Sequence, residues 1–197
     1  IKSSELSDAI GKLQQESGYP YILNVDNVNK VNPIDGKVIM SNLCSEILQV
    51  QTPSEIDDEQ NYTKLGKDVS CNLGSINIPN FMESKNADTA EKSIETMTRA
   101  LTFISDESDI KVVPSVRYGN ASSHSIGLGA MGLHTYLATN LIEDGSRESI
   151  EFVDKFFEMV NFFTVKASNK IATERKESFL GFEKSDYATG AYFDKYT

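Results

Sequence analysis

Apolar residues recur every three or four positions in several stretches of the chain, and this spacing predicts amphipathic helices. It is clearest over residues 87–105 and 146–177, and a shorter stretch over residues 4–17 stops at Gly18. Residues 120–139 carry many small side chains and are interpreted as a further helical region. The apolar stripe of the longest stretch consists of Ile150, Val153, Phe157, Val160, Thr164, Ala167 and Ile171.

Shorter stretches rich in apolar and β-branched residues predict strands. We expect strands over residues 21–25 and 69–78. The turn-forming residues 32–36 precede a segment, residues 37–46, that we expect to be extended. Strands separated by helices indicate an α/β fold.

The remaining stretches are predicted to be irregular, a polar loop over residues 52–67 and a tail over residues 179–197. Only three or four strands can be assigned, which are too few to close a barrel. We therefore expect the chain to be a piece of a larger domain.

Composition and charge narrow the possible functions. The 197 residues are 39% hydrophobic and 24% charged, as in ordinary globular domains. The formal net charge of −10 argues against binding to nucleic acid phosphates, and no apolar run is long enough to span a membrane. The sequence starts at Ile1 without a recognisable leader, so we expect an internal or processed segment. Two cysteines are too few for a disulfide scaffold and favour a reducing cytoplasm.

Residues 41–46 place an amide, a thiol and a carboxylate at alternate positions, Asn42, Cys44 and Glu46. Alternate side chains of an extended segment point to one side, so we expect these three to face one substrate. A free cysteine is most often a small buried hydrophobe. Burying the flanking amide and carboxylate without partners would cost several kcal/mol, however, which favours a site. A thiol that gives up a hydrogen atom, a carboxylate that takes a proton and an amide that holds a hydroxyl suit radical chemistry on a sugar.

The second cysteine, Cys71, follows 27 positions after Cys44 on a different predicted strand. It is either a core residue beside Val69 and Leu73 or a redox thiol. A disulfide with Cys44 stays open, because the sequence does not fix the geometry that such a bond needs.

Two other patterns carry less weight. Residues 127–132 spell G-x-G-x-x-G, but polar residues precede them and no dinucleotide-binding strand does, so close approach of backbones explains the glycines better. His124 and His134 have no third ligand nearby, so we expect capping or packing roles and no metal site.

Residues 40–47 (MSNLCSEI) followed by residues 68–77 (DVSCNLGSIN) strongly resemble the large subunit of class I ribonucleotide reductase, and their spacing and wording resemble the class Ib form. Further segments extend the resemblance over essentially the whole chain: residues 16–21, 114–115, 119–124, 126–129 and 181–182.

The resemblance implies a fold and residue roles. Residues 1–197 would be the central part of a ten-stranded α/β barrel made of two five-stranded halves, with residues 41–47 as a finger loop that holds Cys44 inside the closed barrel. Cys44 would become a thiyl radical that abstracts the ribose 3′ hydrogen, and Glu46 would act as the general base. Asn42 would orient the reacting hydroxyls, and Cys71 would be one half of the reducing dithiol. The substrate-binding residues would be Asn42, Leu43, Cys44, Ser45 and Glu46.

The resemblance also implies partners. The substrate would be a ribonucleoside diphosphate, and a small subunit with a dimetal–tyrosyl centre would supply the radical. A glutaredoxin- or thioredoxin-like protein would restore the dithiol. No cofactor is expected in this segment, since the ATP and deoxynucleotide effectors would bind elsewhere in a subunit that forms a homodimer when complete. No nucleic acid or membrane partner is expected. The other redox cysteine, the radical-relaying tyrosine pair and the shuttle cysteines are missing, so this chain alone is expected not to reduce nucleotides.

Two other functions stay open. A two-electron thiol oxidoreductase would use Cys44 and Cys71 and would need an exposed thiol of low pKa. A non-catalytic assembly fragment would only complete the fold of a partner.

Overall fold

The computed structural model describes residues 2–83 and 87–196. The fold is α/β, and the chain divides into two compact units. The first unit consists of residues 1–51 and 181–197, and the second unit of residues 52–180.

The first unit begins with helix α1, Ser3–Ser17, which ends at Gly18 in the left-handed conformation, as the sequence predicts. The strand predicted over residues 21–25 is wrong. Helix α2, Val25–Val31, begins there instead, with Asn24 at its N-cap and an acidic residue in its first turn. Residues 21–24 pair with no strand in the described part of the chain, and an extended segment becomes a strand only with a partner.

The turn predicted over residues 32–36 is confirmed. The Asn32 side chain accepts a hydrogen bond from the Ile34 N–H at 3.1 Å and donates to the Gly36 carbonyl at 3.2 Å. Near the other end of the chain, the predicted irregular tail contains three short helical segments: a 3₁₀ turn at Phe182–Lys184, helix α8 at Asp186–Thr189 and a 3₁₀ turn at Ala191–Tyr196. The Asp186 N–H joins this tail to the turn by donating to the Pro33 carbonyl at 2.9 Å.

The second unit opens with a small antiparallel hairpin where the sequence predicts only a polar loop. Its strands are β1, Glu55–Ile56, and β2, Tyr62–Lys64. Asp57 stabilises the turn between them, because its carboxylate accepts hydrogen bonds from the Glu59 and Asn61 N–H groups at 3.0 and 2.8 Å. The bond from Asn61 is the main reason that the pKa of Asp57 lies below its usual range.

A parallel strand pair and five helices form the centre of the second unit. Strand β3 spans Asn72–Asn77 and pairs in parallel with β4, Ile126–Met131. The helices between and after them are α3, Ile78–Glu83; α4, Ala87–Glu107; α5, Pro114–Ser123; α6, Leu133–Thr139; and α7, Arg147–Arg175. The long helices α4 and α7 are confirmed. The helix predicted over residues 120–139 is wrong in its middle, since β4 lies there, and β3 is shorter than the predicted strand.

The core lies on one face of the β3–β4 pair, under α4 and α7. Its fully buried members are Ile76, Ile78, Ile94, Phe156 and Val160. The opposite face is open, and its largest apolar side chains, Leu73 and Met131, are 59% and 53% exposed.

The stripe predicted for α7 is correct in its second half only. Val160, Ala167 and Ile171 are buried, but Phe156 takes the place predicted for Phe157, and Ile150 is exposed. Ion pairs on the surface join α7 to α4; they link Arg99 to Glu174, Glu95 to Lys170 and Glu91 to Lys166.

The ten-stranded barrel is not confirmed. Among residues 2–83 and 87–196, the four strands form two separate two-stranded sheets. In the same part of the chain, no helix combines the length and apolar character that crossing a bilayer requires.

Candidate active site

Residues 37–50 form a loop whose base is closed by close contacts in the first unit. Gly36 lies against the Val50 side chain, where an added Cβ would come within 2.6 Å of Val50 Cγ1. The Asn29 side chain holds the N-terminal side of this loop. It accepts from the Val38 N–H at 2.9 Å and donates to the Val38 carbonyl at 2.8 Å, as a neighbouring strand would. Val38 is fully buried, so this side of the loop is anchored before the chain reaches the candidate residues.

The loop reverses direction at the candidate residues. The Ser45 N–H donates to the Asn42 carbonyl at 3.0 Å, which closes a turn over residues 42–45, and Ser45 has a positive φ of 65°. The prediction that residues 37–46 are extended throughout is therefore wrong. The alternation argument for a shared face of Asn42, Cys44 and Glu46 fails with it, because period-two alternation applies only to extended backbone.

Asn42 stabilises the loop with one end of its side chain. Its Oδ1 accepts from the Ile47 N–H at 3.0 Å and from the Ser41 hydroxyl at 3.2 Å. The Asn42 Nδ2 group has no hydrogen-bond partner in the described part of the chain. Asn42 thus keeps two amide protons for an external acceptor while its other end fixes the turn.

Cys44 and Glu46 are both exposed. The Glu46 carboxylate forms no ion pair with any of the described residues. Leu43, at the tip of the turn, is 86% exposed. The closed barrel that the resemblance implies around Cys44 is not confirmed, since the strands of the described residues form two separate two-stranded sheets.

A surface groove of about 390 Å³ runs beside the turn. Asn42, Leu43 and Ser45 line one part of it, and Tyr19 and Tyr21 line another. The two tyrosine rings stack with their centroids 5.0 Å apart. A hydrogen bond with Tyr19 is the main cause that raises the pKa of Tyr21, and the charge of Cys44 adds to it. The sequence alone suggests only packing roles for these tyrosines.

Cys71 belongs to the second unit, just before β3, and is half-buried. The backbone leading to it is held by α5. The Asp68 N–H donates to the Ser115 carbonyl at 3.2 Å, and the Ser70 hydroxyl lies 3.4 Å from Asn120 Oδ1. Gly119 permits this approach, since a side chain there would collide with the Asp68 backbone.

A buried polar pair supports this contact, and its role could not be identified from the sequence. Asn120 is 4% exposed and Ser105 is 2% exposed. Asn120 Oδ1 accepts from the Ser105 hydroxyl at 2.7 Å, while Asn120 Nδ2 donates to the Ser105 carbonyl. The only available signal is the resemblance of residues 119–124 to the family.

The capping role expected for a histidine is found at His124, whereas His134 is exposed and neither caps a helix nor packs in the core. His124 caps α5 in the left-handed conformation, and its Nδ1 lies 2.8 Å from the Asp106 carboxylate. His134 lies on the surface of α6. No group of three potential metal ligands occurs within residues 2–83 and 87–196. Neither cysteine forms a disulfide with any of the described residues.

Comparison with known proteins gives a family match over the whole chain. The model of the ribonucleotide reductase barrel domain matches residues 1–197. The chain is 48% identical to the ribonucleoside-diphosphate reductase subunit alpha of Bacillus subtilis over 198 residues, which cover 100% of this chain and 28% of that protein. It is 44% identical to the subunit of the same name from Mycoplasma genitalium, covering 100% of this chain and 27% of the relative. The chain thus spans less than a third of these relatives.

A solved structure supports the fold. The alpha subunit of the Actinobacillus ureae class Id ribonucleotide reductase superimposes with a TM-score of 0.69 at 22% identity. The match covers 95% of this chain and 34% of that one. Together with the family match over all 197 residues, this shows that the chain belongs to the ribonucleotide reductase barrel domain family.

Proposed function

We propose that this chain is the central catalytic segment of a ribonucleoside-diphosphate reductase, and that it acts only with the remaining segments of an alpha subunit. The observation that carries the proposal is the family match over the full chain, with Asn42, Cys44 and Glu46 in one short loop. The loop, residues 41–47, would be the finger loop of a barrel completed by segments outside this chain. A cytoplasmic location accords with two cysteines that form no disulfide among the described residues.

The first step would be a hydrogen-atom transfer. The Cys44 thiyl radical takes the hydrogen from the ribose 3′ carbon, which leaves a carbon radical and a restored S–H bond. These two bonds are close in strength, so the transfer is reversible. Glu46 takes the 3′-hydroxyl proton, and the 2′-hydroxyl takes a proton from the dithiol that includes Cys71 and leaves as water. The Nδ2 group of Asn42 donates to a substrate hydroxyl, while its fixed Oδ1 keeps the amide oriented.

Two electrons must then enter the sugar. Cys71 supplies them together with a second thiol, and the two sulfurs end as a disulfide. The chain contains only two cysteines, and Cys44 must regain its radical, so the second thiol comes from outside this chain. A small subunit would supply the radical, and a glutaredoxin- or thioredoxin-like protein would reduce the disulfide.

The substrate would occupy the groove beside the turn, which Asn42, Leu43 and Ser45 line. The groove offers hydroxyl and amide groups from Ser41, Asn42 and Ser45 beside the aromatic surface of Tyr19 and Tyr21. Such a mixture suits a sugar ring, which presents both hydroxyls and an apolar face.

The test is a segment replacement in the Bacillus subtilis alpha subunit, to which this chain is 48% identical over its full length. The replaced subunit is assayed with its small subunit, cytidine diphosphate and dithiothreitol, and deoxycytidine diphosphate is measured. We expect product from the replaced subunit and none above background after Cys44→Ser. Glu46→Gln should lower kcat by about 10²–10⁴-fold. Ser7→Ala, on the exposed face of α1, serves as the control with full activity.

The same assay separates the alternatives. A replaced subunit that keeps its turnover after Cys44→Ser would make this chain an assembly segment. The exposure of Cys44 favours a two-electron thiol oxidoreductase as the second candidate. That activity would need no radical, so reduction of a disulfide substrate by the chain without any small subunit would support it and would contradict our proposal.

A further inference from the structure

The open face of the β3–β4 pair carries a sulfur and two glycines. Paired residues of parallel strands point to the same face, and the register places Leu73 opposite Gly127 and Ser75 opposite Gly129. Cys71 precedes Leu73 by two positions, and its Sγ lies on the same side. Gly127, the first glycine of the G-x-G-x-x-G pattern, therefore lies beside the thiol.

The space beside Gly127 is filled almost completely by two side chains. A Cβ added to Gly127 would lie 2.5 Å from Leu73 Cδ2 and 3.0 Å from Cys71 Sγ. Carbon atoms in contact normally lie about 3.5–4.0 Å apart, and sulfur is larger. Any side chain at residue 127 would therefore have to displace both neighbours.

The two neighbours differ in how far they can yield. Leu73 is 59% exposed, so the end of its side chain can swing towards solvent. The backbone that leads to Cys71 is held to α5 through Asp68 and Ser70. Cys71 can therefore yield mainly by rotation about χ1, which moves its sulfur out of the observed position.

Gly129 provides an internal comparison, because it lies on the same strand and the same face. An added Cβ there would meet only Gly74 O and Ser75 Oγ, both at 3.8 Å, which is ordinary contact. Space thus demands a glycine at residue 127 but not at residue 129.

We propose that Gly127 is a positioning residue for Cys71, because the absence of a side chain at residue 127 keeps the Cys71 sulfur in its observed rotamer. This inference rests on the proposed function of Cys71 as a redox thiol. Exchange with a disulfide requires the Cys71 thiolate to attack one sulfur while the other leaves as a thiolate, so access to Cys71 Sγ limits the rate.

The test measures that exchange directly. In a Cys44→Ser background Cys71 is the only thiol of the chain, so its reaction with 5,5′-dithiobis(2-nitrobenzoate) can be followed by the release of the coloured thiolate. We expect Gly127→Ala to slow the reaction by about two- to tenfold, the range for a side chain forced away from its rotamer. Gly129→Ala should react as fast as the background protein. The rate is measured across pH 6–10, where slowing at the high-pH plateau reports access to the thiolate itself.

The direction of the effect separates positioning from general damage. A variant that only loosened the fold would expose Cys71 and would speed the reaction. Gly127→Ala combined with Leu73→Ala removes the closest contact and leaves the contact with sulfur, so it should remain slow when compared with Leu73→Ala alone.

Three results would overturn the proposal. They are an unchanged or faster rate in Gly127→Ala, a double variant that reacts as fast as Leu73→Ala alone, or loss of cooperative urea unfolding in both Gly127→Ala and the double variant. The last would mean that the space serves folding and not the thiol. None of these measurements involves nucleotide reduction. The role of Cys71 itself is tested separately, by the turnover of the Cys71→Ser subunit.

Discussion

The buried pair of Asn120 and Ser105 gives a prediction whose size can be worked out from the structure. Asn120→Ala removes an amide that accepts from the Ser105 hydroxyl at 2.7 Å and donates to the Ser105 carbonyl. Both residues are almost completely buried, so no solvent can replace the lost bonds. The same substitution also removes the weaker contact with Ser70, 3.4 Å away, beside Cys71.

The loss in free energy of unfolding is the sum of a hydrogen-bond term and a cavity term. A buried polar group left without its partner costs about 1–3 kcal/mol. The Ser105 hydroxyl can recover part of this by turning to the carbonyl four residues earlier, as Thr98 and Thr102 do at 2.8 Å, and the Ser105 carbonyl keeps a long contact with the Ser108 N–H at 3.4 Å. The small cavity adds about 1 kcal/mol. We therefore expect Asn120→Ala to lower the free energy of unfolding by about 2–3 kcal/mol.

Urea unfolding followed by circular dichroism measures this value. Ser70→Ala is the matched control, and we expect it to cost less than about 0.5 kcal/mol because its single contact is long. A double-mutant cycle of Asn120→Ala with Ser105→Ala should give a coupling of about 1 kcal/mol. If Asn120→Ala cost no more than Ser70→Ala, the buried pair would not be what holds the backbone near Cys71, and the reasoning would be wrong.

Three further predictions concern the core of the second unit, a surface ion pair and the base of the candidate loop. Ile94→Ala, at a fully buried position of α4, should lower the free energy of unfolding by about 2–5 kcal/mol, whereas Ile104→Ala, at a half-exposed position of the same helix, should cost less than about 1 kcal/mol in the same assay. The hydrogen bond from Arg99 holds the pKa of Glu174 below its usual range, so this pair stabilises the protein above about pH 4.3 and the contribution is lost as the pH falls through the lowered pKa. Arg99→Gln should therefore lower the urea midpoint more at pH 7 than at pH 3, and an equal loss at both would contradict the assignment. Asn29→Ala should speed hydrogen exchange of the Val38 amide, because the Val38 N–H loses its acceptor, while amides in the centre of α7 should stay protected.

The long helices could be predicted because their signals are local. Apolar spacing indicates α4 and α7, and Gly18 marks the end of α1. The phase of a stripe is less certain over a long helix. On α7, Phe156 faces the core where Phe157 was predicted, and its contact with Phe81 decides between these two adjacent aromatic residues.

The strands could not be predicted in the same way, because a strand depends on its partner. The sequence Ile-Gly-Leu-Gly-Ala-Met has weak strand propensity, yet it forms β4 by pairing in parallel with β3, which lies more than 50 residues away. Residues 21–24 have stronger strand propensity but form no strand, since none of the described residues pairs with them. Short hairpin strands such as β1 and β2 are set by the turn at Asp57.

The candidate site shows the same division. The chemistry of Asn42, Cys44 and Glu46 can be inferred from their residue types and from the resemblance of their sequence motif to the family. Their arrangement could not, because one hydrogen bond from the Ser45 N–H turns the chain and cancels the alternation that an extended segment would have. The aromatic wall of Tyr19 and Tyr21 was also beyond sequence reasoning, since it depends on how separate segments of the first unit pack.

By itself, the sequence determined helices α1, α4 and α7, the chemical groups available and the family to which the chain belongs. These depend on residue identity and on spacings of a few positions, which any reader of the chain can see. Only the tertiary structure decided that Gly127 lies against Cys71, that Asn120 is buried against Ser105 and that Cys44 lies at an exposed turn. Each of these features depends on backbone hydrogen bonds or on close contacts between segments distant along the chain. The free energies of such contacts cannot be read from any local sequence pattern.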